Sequence, residues 1–274
     1  MNILPIVVLY KTKVIESQAV EFLVGNSFFR EVFVYDNTPD LNAALSNSKL
    51  HDKVNYYHDP SNPGVSKAYN VAAKYAIENN YDWLLILDQD TKLDDKLISA
   101  YQRAHIRNPD IKIFAPQLKT AKGAPCSPCR IVFKRGLPVR NLLSRRLSLA
   151  KYAPINSGIL VDLQTFDSVS GYNEKVFLDF SDFQFIERLS QKVDEFYVVN
   201  HILEQDFSND SSDTEILKQR FKLYCQCARL CEKKSLKEYF EYGVTTLLRC
   251  LSLMYRTRNT SFVKILLSEF WSLK

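Results

Sequence analysis

The chain has 274 residues, 46% of them hydrophobic and 24% charged, which suits one large domain or one domain with an appendage and excludes a disordered protein. The net charge of +5 is uneven: residues 214–274 hold 12 Lys/Arg against 5 Asp/Glu, a surplus of +7, so residues 1–213 carry −2. The basic residues are interleaved with core-type residues and form no recognised nucleic-acid module, which argues against nucleic acid as a partner, and no run of 18 apolar residues is present to span a bilayer.

In chain order, residues 3–9 read directly as a first strand rather than as a leader peptide, which predicts a cytoplasmic protein. Glu31 to Tyr35, Val54 to His58 and Trp83 to Leu87 are further strand-like runs. Between them lies helical periodicity, clearest from Val65 to Ile77, where Val65, Ala68, Tyr69, Ala72, Ala73 and Ala76 form one apolar stripe. This alternation predicts an α/β fold with a mostly parallel central sheet and right-handed crossovers.

Beyond Thr91 the pattern gives a helix over Asp94 to Ile106 and a strand near Ile111 to Ala115. A Pro-, Gly- and Arg-rich stretch from Lys119 to Arg146 has no clear period and reads as a long loop. A strand at Gly158 to Asp162, a helix starting near Gln164 and another from Asp182 to Gln191 follow. From Glu215 about three helices are expected. Cys126 and Cys129 have zinc-ribbon spacing without the second pair such a site needs, so all six cysteines read as reduced, mostly packed thiols.

The candidate chemistry sits at the strand ends. The run Leu84-Leu85-Ile86-Leu87 stops at Asp88-Gln89-Asp90, which places hard oxygen ligands at the carboxyl edge of a sheet, where open α/β folds bind nucleotides and metals. The same residues also suit a turn, or Asp90-Thr91 a cap for the next helix. Asp36-Asn37-Thr38 closes the second strand, either as an Asx turn or with Asp36 meeting a pyrimidine base against Tyr10. Asn62-Pro63-Gly64 leads into a helix carrying Ser66 and Asn70 on one face, an ordinary capped entrance or a phosphate site. Asp182, in the first turn of a helix, is favoured as an anion by the helix dipole, and N-capping would explain it equally.

These segments, with Val8-Leu9-Tyr10, Asn156-Ser157-Gly158 and Phe177-Leu178-Asp179-Phe180-Ser181-Asp182, occur in the order and approximate spacing of family 2 glycosyltransferases over roughly residues 3 to 210. The chain resembles most the bacterial rhamnosyltransferase branch, where Leu-Asp-Gln-Asp is a habitual motif. The resemblance implies a GT-A-like catalytic domain over residues 1–212 and a helical basic extension over 213–274. It implies that Tyr10, Asp36, Asn62, Gly64, Ser66, Asn70 and Asp88 bind the nucleotide of a dTDP- or UDP-linked sugar, and that Asp88 and Asp90 hold Mg²⁺ or Mn²⁺. Asp182 would be the base of an inverting transfer. Asn156, Ser157, Gly158, Asp179, Arg188 and Gln205 would line the acceptor or support the site.

The implied reaction moves a sugar, rhamnose from dTDP-rhamnose as the specific expectation, onto a lipid-linked cell-surface saccharide. A UDP-sugar transferase or a catalytically silent homologue is the alternative. Three departures bear on this: Gln184 stands where relatives carry an acidic residue, Gln205 where many carry His, and Ser208 where Gly is common. In the extension Leu247, Leu248, Leu251, Met254 and Tyr255 form an apolar face beside Arg249, Arg256 and Arg258. That pattern suits peripheral contact with an anionic membrane, a homodimer face or packing on the catalytic core.

Overall fold

The computed structural model describes residues 1–40, 51–204 and 213–272. Four parallel strands open the fold: β1 (Ile3–Leu9), β2 (Val32–Asp36), β3 (Val54–His58) and β4 (Trp83–Asp88). All of β1 and β2 is buried, as expected of parallel strands covered on both faces. The sheet has nine strands, ordered β3-β2-β1-β4-β11-β5-β12-β9 with β6 appended to β5. Its remaining members are β5 (Ile113–Lys119), β6 (Pro125–Ser127), β9 (Arg145–Ser148), β11 (Ile159–Asp162) and β12 (Glu195–Glu204). Along the main order β5 and β12 pair in parallel, while β11 and β9 run against their neighbours.

Helices cover both faces. On one, α2 (Val65–Glu78), α4 (Leu163–Ser168) and α5 (Ser181–Leu189) share a core with Leu4, Ile6, Leu84 and Ile86. On the other, α1 (Gln18–Gly25) and α3 (Asp95–Arg107) pack on Val7, Leu9, Leu85 and Leu87. The strand order reverses between β1 and β4, the crevice where ligands enter doubly wound sheets. Register places Leu9 beside Asp36 and Val8 beside Asp88, so Tyr10, Asp36 and Asp88 emerge at one sheet edge.

The stretch from Lys119 to Arg146, expected as an irregular loop, instead folds into short strands. β7 (Cys129–Val132) and β8 (Arg135–Pro138) form a hairpin, and with β10 (Tyr152–Ala153) a second, three-stranded sheet. Its turn residues Phe133 and Lys134 have φ of 48° and 56°. Left-handed turns normally advertise themselves through Asn or Gly, which explains why the sequence does not announce this one. Strand β12 was not separated in the sequence pattern either; its pairing to β5 is interrupted by a register shift between Val198 and Ile202.

Three helices close the described chain: α6 (Thr214–Leu230), α7 (Leu236–Thr257) and α8 (Ser261–Glu269). They have their own core around Phe221, Cys225, Cys250 and Phe262. They also share a second core with the segment before α5, where Val176 and Phe180 meet Cys227, Ala228, Cys231 and Tyr242. The Phe180 ring lies 4.6 Å from that of Tyr224 and 5.5 Å from that of Tyr242, centroid to centroid. The buried face of α7 is Tyr242, Thr245, Thr246, Cys250 and Leu253, whereas Leu247, Leu248, Leu251 and Tyr255 are exposed. Met254 packs against the helical core, so it leaves the apolar face read from sequence.

The hairpin is pinned by one buried cation. Lys134, 6% exposed, puts Nζ 2.7 Å from Glu187 on α5 and 3.4 Å from Glu238 on α7, and Thr245 on α7 donates a hydrogen bond to the Phe133 carbonyl. Replacing Lys134 by Ala leaves two half-buried carboxylates facing each other, and we expect a loss of about 2–3 kcal/mol in urea unfolding; a change below about 0.5 kcal/mol would show that the pairs contribute nothing.

Candidate active site

At the end of β4 the chain turns through Asp88-Gln89-Asp90, and Thr91 holds the turn. The Asp88 amide donates to Thr91 Oγ1 at 3.1 Å and the Thr91 amide to the Asp88 carbonyl at 3.1 Å. Thr91 Oγ1 in turn shares a 2.8 Å hydrogen bond with Ser157 Oγ, both residues being buried. Helix α3 is capped by Asp94, whose side chain accepts from the Leu97 amide at 3.0 Å, so Asp90 is not the cap of that helix. Gln89 carries a role that the motif did not suggest: its side chain accepts from the Tyr10 amide at 2.9 Å and its carbonyl from Ser17 Oγ at 2.7 Å.

A cleft of ≈ 380 Å³ lies beyond this edge. It brings Asp88 from β4, Asn156 and Ser157 from the approach to β11, and Asp179 and Asp182 from the start of α5 to one space, together with Tyr69, Arg135, Arg220 and Tyr224. The last four escaped the sequence reading. Tyr69 looks like one more residue of an apolar stripe, yet its buried hydroxyl feels both Asp88 and Asp182.

The electrostatics set Asp88 and Asp182 apart from ordinary carboxylates. Burial, then the charges of Asp90 and Asp182, push the Asp88 carboxyl up to about 7. Burial is also the main cause raising Asp182 to about 6, against the hydrogen bond its own Oδ1 accepts from the Phe183 amide at 2.8 Å. The helix terminus therefore does not keep Asp182 at an ordinary acidity, as the dipole alone would suggest; desolvation outweighs it. Asp182 is the second residue of α5, which follows Phe180, a left-handed N-cap residue with φ of 68° and no side-chain cap.

Several residues read as nucleotide ligands join protein to protein. Gly64, with φ of +92°, brings the chain so close to the loop before α5 that an added Cβ would lie 2.4 Å from Phe177 Cβ. The Val65 amide donates to the Phe177 carbonyl at 2.8 Å, and the Ser66 hydroxyl donates to the Val176 carbonyl. Asn70 clamps the next turn, donating to the Tyr172 carbonyl at 2.9 Å and accepting from the Tyr172 amide at 2.8 Å. The Tyr172 hydroxyl then donates to Asn156 Oδ1 at 2.7 Å. Asn62 sits in the left-handed turn before this helix, with φ of 50°.

Asp36 is fully buried and both its oxygens are engaged, Oδ2 by the Tyr56 hydroxyl at 2.7 Å and Oδ1 by the Thr38 amide at 2.9 Å. A base would reach it only if the groups over it moved aside. Tyr10, at the same edge, is 44% exposed. Gly158 is required for packing, since its amide donates to the Ile86 carbonyl at 2.8 Å and a Cβ would meet Pro116 Cγ at 2.7 Å.

Arg188 does not face the carboxylates: it donates to the Gly171 carbonyl at 2.7 Å and pairs with Glu232, bracing α5 against the α6–α7 connection. Gln184 is buried, accepting from Asn173 Nδ2 at 2.7 Å. Gln205 and Ser208 lie outside the described residues.

Among the described residues no group of three or more His, Cys, Asp or Glu could hold a metal ion by itself. The donor chemistry nevertheless fits Mg²⁺ or Mn²⁺, which commonly take one or two carboxylates and complete their shell with water and substrate phosphates. Asp88 and Asp90 supply such oxygens, and a cation there would relieve the repulsion that raises Asp88. Cys126 and Cys129 are free thiols, the second donating to the Cys126 carbonyl.

No protein-family model matches the chain. The dTDP-rhamnosyl transferase RfbF of Shigella flexneri is 24% identical over 122 residues, 44% of this chain and 41% of that protein, so the match spans less than half of either. Among solved structures, S. aureus TarS 1–349 in complex with UDP-GlcNAc superposes with a TM-score of 0.59 at 14% identity, covering 98% of this chain and 79% of that one. The mannosyltransferase PcManGT of Pyrobaculum calidifontis, in complex with GDP-Man and Mn²⁺, gives 0.54 at 11% identity, covering 100% and 76%. The fold is that of the GT-A glycosyltransferases: a mixed α/β structure with a mostly parallel central sheet, here followed by C-terminal helices.

The raised Asp88 carboxyl has a consequence for stability. Below about pH 4 it is protonated folded or unfolded; as pH rises to about 7 only the folded state keeps the proton, so the folded protein progressively loses stability relative to a neutral residue. In EDTA without nucleotide, Asp88→Asn should therefore be more stable than the parent at pH 8 by about 1–3 kcal/mol, with the gain vanishing toward pH 4. A gain that does not depend on pH would refute the assignment.

Proposed function

We propose that the protein is a metal-dependent inverting glycosyltransferase that moves a sugar from a nucleoside diphosphate to a saccharide acceptor. The observation that carries this reading is the convergence of Asp88 and Asp182, distant in sequence, on one cleft at the carboxyl end of β4 in a GT-A sheet. The nucleotide sugars bound by TarS and PcManGT support the donor class. The name of the S. flexneri relative supports dTDP-rhamnose as the particular donor, with UDP-sugars the alternative.

In this reading residues 1–212 form the catalytic domain and 213–274 a helical extension. The pyrimidine lies by Tyr10 and reaches Asp36 only as the groups over that carboxylate move aside; Asp88 and Asp90 would hold Mg²⁺ or Mn²⁺, which would neutralise the charge of the leaving diphosphate. The Asp182 carboxylate, raised to about 6, is mostly ionised at neutral pH yet basic enough to take a proton. It accepts the proton of the acceptor hydroxyl as that oxygen attacks the anomeric carbon from the face opposite the diphosphate. The bond from the anomeric carbon to the diphosphate oxygen breaks, and the configuration inverts. Tyr69 and Asn156, the latter held by the Tyr172 hydroxyl, line the cleft beside the carboxylates.

The acceptor in this reading is a lipid-linked cell-surface saccharide. No helix among the described residues is long and apolar enough to cross a membrane. The exposed Leu247, Leu248, Leu251 and Tyr255 beside basic residues support peripheral contact with the inner face of the cell membrane.

Titration with dTDP and UDP, with and without Mn²⁺, tests the donor site: Asp90→Ala should abolish the metal-dependent part of binding. Asp182→Asn should keep nucleotide affinity within twofold and lower transfer by about 10²–10⁴-fold. Because Asp182 must be ionised, the transfer rate of the parent should fall as pH drops through about 6 rather than about 4. A fully active Asp182→Asn protein would remove the base from this account.

A further inference from the structure

The wall of the cleft built by β8 and the C-terminal helices is cationic, and the proposed reaction does not use that charge. Arg135, the first residue of β8, and Arg220 on α6 both line the cleft. Arg249 on α7 acts electrostatically on two of its lining residues, Asp179 and Tyr224. Three guanidinium groups from three elements thus converge on the neighbourhood of Asp179.

Charge balance does not explain them. Arg220 is the ion-pair partner of Asp179, with Nη2 3.4 Å from Oδ1, and that contact alone offsets the single negative charge. Asp179 Oδ2 is buried and takes no hydrogen bond. Among the described residues the side chains of Arg135 and Arg249, both solvent-exposed, make neither a hydrogen bond nor an ion pair, in contrast to Lys134, which is fully engaged with Glu187 and Glu238. The aromatic rings of Phe180 and Tyr224 line the same wall and lower the local dielectric, which strengthens the attraction for an anion. Guanidinium groups are the preferred partners of phosphate and carboxylate because they donate two parallel hydrogen bonds.

Resting on the glycosyltransferase reading, we infer that the acceptor carries a phosphate or carboxylate group, and that Arg135 and Arg220, aided by Arg249, bind it beside Asp182. The anion then fixes the acceptor so that its hydroxyl meets the carboxylate. The donor diphosphate is the other possible source of such a group, and the two sources predict different behaviour when nucleotide is already bound.

The probe is inorganic phosphate, titrated calorimetrically in Mg²⁺ with and without saturating UDP. We expect the full chain to bind phosphate equally well in both conditions. Arg135→Gln with Arg220→Gln should weaken phosphate binding by at least tenfold, with UDP affinity within twofold of the parent. If UDP displaces phosphate, or if the double substitution weakens UDP tenfold, the arginines serve the donor and the inference fails. It fails equally if the parent does not bind millimolar phosphate, or if the double variant still does. Where the parent binds dTDP and not UDP, dTDP takes the place of UDP in these titrations; failure of both nucleotides to bind the parent would instead count against the glycosyltransferase reading, because the phosphate titration is read independently.

Discussion

Two carboxylates that repel each other are held in one cleft, and much of the surrounding structure serves to keep them there. Asp88 arrives on a strand of the parallel sheet and Asp182 at the first turn of a helix on the sheet's face. Burial raises both, and Asp88 is raised further by its neighbours' charges. Such an arrangement stores unfavourable energy that the fold must offset elsewhere. The offsets are visible: Thr91 and Ser157 lock the turn after Asp88, the Asn70–Tyr172–Asn156 chain fixes the opposite wall, and Gly64 lets helix α2 touch the loop before α5.

The C-terminal helices belong to this arrangement. Phe180, two residues before Asp182, adopts its left-handed conformation with its ring set against Tyr224 of α6 and Tyr242 of α7. Lys134 ties the β7–β8 hairpin to α5 and α7 at once. The wall that faces the carboxylates is therefore assembled from the hairpin and the helices together.

The parallel half of the fold was legible because its signals are local. A fully buried strand must be apolar along its length, and the stripe from Val65 to Ala76 has the helical period, so β1, β4 and α2 stand where the pattern placed them. Asp88 and Asp182 could be picked out because each ends an apolar run or opens a helix. What stayed hidden depends on contacts distant in sequence. The Phe133–Lys134 turn carries no Asn or Gly to mark it, and Arg135 and Arg220 read as ordinary surface charge until the hairpin and α6 are placed around the cleft. Ser66 and Asn70 had the chemistry of phosphate ligands, but nothing local said that backbone groups of the 172–177 segment would take their hydrogen bonds first. For Asp182 the helix dipole was visible in the sequence while desolvation, the larger effect, was not.

The shared core around Phe180 limits how such a protein can diversify. Val176 and Phe180 lie in the same apolar cluster as Cys227, Ala228 and Tyr242, so the segment presenting Asp182 and the helices are shaped to one another like a plug and its socket. A chimera combining this α/β core with helices from a distant relative would have to bring a matching cavity for Phe180, or the left-handed residue would relax and carry Asp182 away with it. Variation in the helices is therefore constrained to their cleft-facing and outer surfaces, while the inner surface must vary in concert with the segment it grips.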